Sequence, residues 1–199
     1  MGKHIIIKEA RCSFPRLYAS EEREGATFGP GITLVMEKEA HAAILVELKA
    51  EMKKAIADNP KLKKAPPTGD KLCLRVPDRD ELKYKPGNLI LKANNQRPPM
   101  VLEPDGRTVM TEATDKIYSG CYVNAKVEIW GQANQWGKRV NAKLIAVQYV
   151  PRTADSFDGS YVSPDEAVKG FDSLDDDLGA PGPADDLSAE VSADDDILG

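Results

Sequence analysis

Cysteine, histidine and aromatic residues are scarce in this chain: its 199 residues include three Cys, two His, two Trp, six Tyr and four Phe. Cys12, Cys73 and Cys121 are odd in number and far apart, so no disulfide framework or zinc spacing can be built from them. They read as small buried apolar residues in a reducing compartment. His4 and His41 have no partners at ligand spacing, so no metal or cofactor is expected. A Gly-Lys-Ser/Thr phosphate loop is missing, which removes support for ATP-driven chemistry. No run approaches the roughly 18 apolar residues that span a bilayer. Ile5-Ile6-Ile7 is too short for a signal peptide, and Ile6 stands where a myristoylation motif needs Ser or Thr. The chain is expected in the cytoplasm, with no membrane partner. Pro77-Asp78 followed by Glu81-Leu82-Lys83 echoes a nuclease metal motif. In such enzymes the two parts lie on successive strands, and two intervening residues cannot bring both carboxylates to one metal. The chain is therefore not read as an enzyme.

The overall charge of −5 conceals two opposed regions. Residues 1–150 carry 25 Lys and Arg against 18 Asp and Glu, a net of +7. Residues 151–199 carry two basic residues, Arg152 and Lys169, against fourteen acidic ones, a net of −12. Asp175-Asp176-Asp177, Asp185-Asp186 and Asp194-Asp195-Asp196 repel one another, and Gly179, Pro181, Gly182 and Pro183 break helices. Few large apolar residues remain there to offset ordering entropy. The expected organisation is a basic domain over 1–150 and a disordered acidic tail over 151–199. One or two helical turns are expected at most, near 163–169.

Within the domain, Ile32, Leu34 and Met36 alternate with Thr33, Val35 and Glu37, the period of a strand. Residues 40–57 have helical periodicity, with Ile44, Leu48, Met52 and Ile56 on one face and Pro60 as the stop. Residues 61–85 read as loop, and 88–94 as a short strand with Leu89, Leu91 and Ala93 inward. Ile117–Trp130 and Lys138–Val150 form a long hairpin around a turn over 131–137. The domain is mainly β with one inserted helix.

Strand alternation separates the two faces of this hairpin. Ile117, Cys121, Val123, Ala125, Val127 and Ile129 form a core face. Tyr118, Tyr122, Asn124, Lys126 and Trp130 occupy the other, joined on the returning strand by Arg139, Asn141 and Lys143. Trp136 lies in the polar turn beside Lys138 and Arg139. Aromatics interleaved with amides and cations suit unpaired nucleotides, because each base offers a π-face and each nucleotide a phosphate. The competing explanation is that these aromatics pack beneath a helix or against another subunit.

Three segments carry a family resemblance: Ala10-Arg11-Cys12-Ser13-Phe14-Pro15-Arg16-Leu17-Tyr18, Leu34-Val35-Met36-Glu37-Lys38 before the helix, and Tyr118-Ser119-Gly120-Cys121-Tyr122-Val123-Asn124-Ala125-Lys126-Val127. Over residues 3–150 the chain resembles the single-stranded DNA-binding proteins of tailed bacteriophages. The resemblance implies an OB-fold-like five-stranded barrel and sequence-independent binding of single-stranded DNA in phage replication or recombination, in the host cytoplasm. It also extends the surface to Phe14, Tyr18 and the intervening Arg16, although Phe14 before Pro15 equally fits a core position. Asp194, Asp195, Asp196, Ile197 and Leu198 resemble the acidic, apolar-ended tips through which such proteins recruit replication or recombination enzymes. Bacterial tips end in an aromatic residue, whereas this one ends Leu-Gly.

The acidic tail is expected to modulate binding by occupying the basic groove. RNA as a ligand, strand annealing and homo-oligomer formation stay open. The alternative function is a phage structural or assembly protein whose aromatic face is a subunit interface.

Overall fold

In the computed structural model, described over residues 2–23, 25–77, 88–157 and 167–170, the core is a closed β-barrel. Its first strand, β1 (His4–Arg16), is central and pairs antiparallel with β4 (Gly31–Met36) and β8 (Tyr122–Asn134). β4 continues to β6 (Leu89–Asn94), and β8 to β9 (Gly137–Val150). Ala93 and Asn94 of β6 pair in parallel with Ala142 and Lys143 of β9, which closes a five-stranded ring. Closing so few strands demands strong coiling. The long β1 bends through two bulges, between Ile7 and Ala10 and between Ser13 and Arg16. Each holds one residue in the left-handed region, Glu9 (φ 51°) and Phe14 (φ 49°).

Alternating apolar side chains fill the barrel: Ile5, Ile7, Leu34, Leu91, Val123, Val127 and Leu144 are all buried. Val35 and Ile90 are also buried but form a separate small cluster, with Phe157 packed against it. Outside the ring, β2 (Glu21–Arg23) and β3 (Ala26–Phe28) make a small hairpin, β5 (Leu74–Arg75) extends the sheet beside β6, and β7 (Met100–Leu102) lies parallel to β9. The apolar run of β9 after Leu144 follows from a bulge at Ile145, where Val127 pairs with Leu144 and Lys126 with Ala146, so that the buried row continues at Val147.

The helix lies between β4 and β6, as the periodicity requires. α1 (Ala42–Ala57) buries Leu45, Leu48 and Met52, with Ile44 and Ile56 packed at the edge. Pro60 acts differently from expectation. It is the first residue of a second helix, α2 (Pro60–Lys64), capped by Asn59, whose side chain accepts from the Lys61 and Leu62 amides. Proline suits that position because the N–H it lacks has no partner within the helix. α2 buries Leu62, so the expected loop over 61–85 begins with packed structure. The first hairpin strand likewise starts at Tyr122, and the residues before it form a turn in which Ile117 and Cys121 are still buried.

Two compact units divide the chain, Met1–Tyr161 and Val162–Gly199. Residues 151–157, acidic-tail residues by composition, belong to the first. In the second, the described residues 167–170 form a turn ending at Gly170 (φ 98°). No helix among the described residues is long and apolar enough to cross a membrane.

Candidate nucleic-acid interface

The tip of the β8–β9 hairpin is tighter than its composition suggests. Only Gln135 and Trp136 connect the strands, and Gly137 turns the chain at φ 113°. The Asn134 side-chain oxygen accepts from the Trp136 amide at 3.0 Å, a local turn that Asn favours. Gln132 donates to the same oxygen at 3.1 Å and accepts from Asn141 across the hairpin at 2.8 Å. A chain of amides thus ties the two strands together on one face. Trp130 pairs with Asn141 on this face and is 44% exposed, while Trp136 at the tip is 77% exposed.

The opposite wall comes from the end of β6 and the approach to β4. Asn95 is fixed by three hydrogen bonds: its backbone amide donates to Pro30 O, its side chain donates to Leu144 O, and its side-chain oxygen accepts from the Gln96 amide. Gly29 lies so close to the Asn95 carbonyl that a β-carbon would collide with it. The two walls enclose a groove of about 710 Å³ lined by Trp130, Trp136, Asn94, Gln132, Asn141 and Lys143, among others. Two aromatic faces, several amides and one ammonium group suit a planar, hydrogen-bonding, anionic chain. Register puts Arg139 on the groove face opposite Gln132, and Lys138 on the other face opposite Ala133.

The remaining sequence-selected residues lie elsewhere. Tyr122 is eight residues before Trp130, about 27 Å along an extended strand. Its ring carries the Arg152 guanidinium at 4.2 Å. Tyr118 is half-buried, packs against the core and donates its hydroxyl to Ala154 O at 2.7 Å. Asn124 accepts from the Glu9 amide at the β1 bulge and donates to Gln148. Lys126 is half-buried midway along the outer row of β8. Phe14 is 59% exposed, which settles its position as surface rather than core.

Tyr18 is half-buried against the core beside Asp115; burial, reinforced by that carboxylate, pushes its hydroxyl pKa well up. Arg16 pairs with Glu21 at 3.3 Å and lies over the Phe28 ring at 5.5 Å. Phe28, 43% exposed next to Gly29, was not indicated by the sequence pattern, nor were Asn94, Asn95 and Gln96. The polar triplet 94–96 is visible in the sequence, but only strand pairing sets it opposite Trp130. Among the described residues no cluster of three His, Cys, Asp or Glu could hold a metal. Asp78, Glu81 and Lys83, and the tail residues Asp194, Asp195, Asp196, Ile197 and Leu198, lie outside the described residues.

Residues 3–178 match the family model of the single-stranded DNA-binding protein of Enterobacter phage Enc34. Protein p50 of Acyrthosiphon pisum secondary endosymbiont phage 1 is 32% identical, over 85% of this chain and 93% of its own. The structure of the Enc34 single-stranded DNA-binding protein in complex with single-stranded DNA superposes with a TM-score of 0.65 at 27% identity, covering 75% of this chain and 87% of that one. The single-stranded DNA-binding protein gp2.5 of bacteriophage T7, 12% identical, shares the fold with a TM-score of 0.55 over 97% of this chain and all of that one.

Proposed function

This chain belongs to the family of the Enterobacter phage Enc34 single-stranded DNA-binding protein, and on that premise we propose that it binds unpaired DNA in the Trp130–Trp136 groove during phage replication or recombination. The observation that carries the assignment to this groove is the convergence of both tryptophans of the chain on one amide-lined cleft. Bases stack on the indoles, each worth about 1–3 kcal/mol. Asn141, Gln132 and Asn94 offer donors and acceptors to base edges, and Lys143 with Arg139 meets the phosphates. Duplex DNA is excluded because its bases are already stacked and paired. The assembly-protein alternative is not favoured by the family.

The tail completes the reading. The acidic residues of the 151–199 tail compete weakly for the basic barrel, and its end, Asp194–Leu198, engages replication or recombination proteins. The setting is the host cytoplasm. Fluorescence anisotropy with a labelled mixed-sequence strand and its duplex tests the reading. Saturable binding of the strand alone, weakening with salt, supports it; equal affinity for both forms contradicts it.

A further inference from the structure

We propose that Arg11 and Tyr122 form a second subsite for an unpaired nucleotide, which the chain's own residues 151–157 cover, with Arg152 on the Tyr122 ring and Phe157 on the Arg11 guanidinium in the places of bases. The proposal rests on the single-strand reading given above and extends it to the other end of β8.

After β9 the chain turns sharply, with the Arg152 amide donating to Val150 O at 2.7 Å, and runs back over the start of β8. Tyr118 donates its hydroxyl to Ala154 O, the Phe157 amide donates to Ser119 O at 3.0 Å, and Arg11 donates to Asp155 O. Gly120, at φ 113°, leaves no room for a β-carbon beneath this strap. Cations and rings then alternate. Arg152 lies over Tyr122 at 4.2 Å, and Arg11 lies 5.9 Å from Tyr122 and 4.2 Å from Phe157. Guanidinium planes and tyrosine rings are surfaces on which an unpaired base also stacks. Beside them opens a cleft of about 360 Å³ lined by Lys8, Arg11, His41 and the strap's own Arg152, and by the carboxylates of Glu9 and Glu37. Lys8 and Arg11 remain on the barrel for a phosphate next to the stacking plane.

The cover is lightly fastened. Arg152 pairs with Glu9 at 3.2 Å, but both side chains are more than half exposed, so the pair contributes little. The strap carries one cation and one anion, Arg152 and Asp155, so charge neither drives it onto the barrel nor repels it. Its main anchor is the Phe157 ring against Val35 and Ile90. A short segment without sheet or helix pairing opens locally more readily than the barrel strands beneath it. The row Tyr122, Asn124, Lys126, Glu128, Trp130 shares the outer face of β8 and connects this subsite to the groove. A strand following it stays within the 4–16 nucleotides typical of an OB fold. Short strands fill the groove alone, whereas longer ones displace the strap.

Two measurements on the full chain test this. In hydrogen exchange, the Phe157 amide is expected to lose protection on saturation with a strand of about 20 nucleotides but not of about 6. Protection unchanged by the long strand overturns the proposal. In binding, Phe157→Ser is expected to tighten the long strand about five-fold, the low end of one stacked base, and to leave the short strand unchanged. Adding Tyr122→Ala is expected to cancel that gain; a gain that survives Tyr122→Ala overturns the proposal. The short-strand affinity and its loss in Trp136→Ala report on the groove independently, so failure of the subsite is distinguishable from failure of the single-strand reading.

Discussion

Asn141 on β9 donates to Gln132 on β8 at 2.8 Å across the hairpin, directly beside the pair formed by Asn141 and Trp130. This bond holds two groove-lining amides in fixed orientation before any ligand arrives. Gln132→Ala breaks it and the bond to Asn134. Affinity for single strands should fall about three- to ten-fold, the worth of one hydrogen bond, while the loss of these partly exposed bonds lowers the unfolding midpoint only slightly. Unaltered affinity in a titration of this variant contradicts a preorganised groove.

Trp136 is too exposed to contribute to the core, so its role is separable from stability. Trp136→Ala should weaken strand binding by about 1–3 kcal/mol while leaving denaturant unfolding as in the wild type. A loss of stability without a loss of affinity would make the indole a structural residue.

Lys143 lines the groove. If it neutralises one phosphate, Lys143→Gln should reduce the slope of log affinity against log salt by about 0.7. An unchanged slope across a salt series places the phosphates elsewhere.

Asp115 accepts from the Ile117 amide beside Tyr18, and burial pushes its carboxyl above the usual carboxylate range. The folded chain therefore holds this proton more tightly than the unfolded chain. The resulting stabilisation is full below the unfolded pKa and is lost as pH rises through the folded one. Asp115→Asn keeps an acceptor and removes a partly desolvated charge. Its unfolding midpoint should exceed that of the wild type near pH 7 by a margin that shrinks towards about pH 3. Equal midpoints near pH 7 contradict a destabilising charge at Asp115.

Local pattern carried much of this architecture. The inward row Val123, Ala125, Val127, Ile129 follows from alternation alone, whereas the pairing of Trp130 with Asn141 depends on the two-residue turn at Gln135 and Trp136, shorter than the turn over 131–137 that composition suggests. The five-stranded barrel came from the family resemblance, because its closure depends on Ala93 meeting Ala142, a contact with no local signature. The Gly29–Asn95 wall is invisible for the same reason. Pro60 misled because proline both ends helices and begins them, and only the Asn59 cap distinguishes the two. Residues 151–157 were masked by averaging: fourteen acidic residues over 151–199 hide the packing of one phenylalanine.

Both tryptophans of the chain line the same groove, so intrinsic fluorescence reports on that site alone. The most direct test is titration of this emission with a single-stranded oligonucleotide and with its duplex, with binding followed in parallel by anisotropy. Strong quenching by the single strand only, reversed by salt, is the predicted result. Binding of the strand with no change in tryptophan emission would contradict the groove as the site.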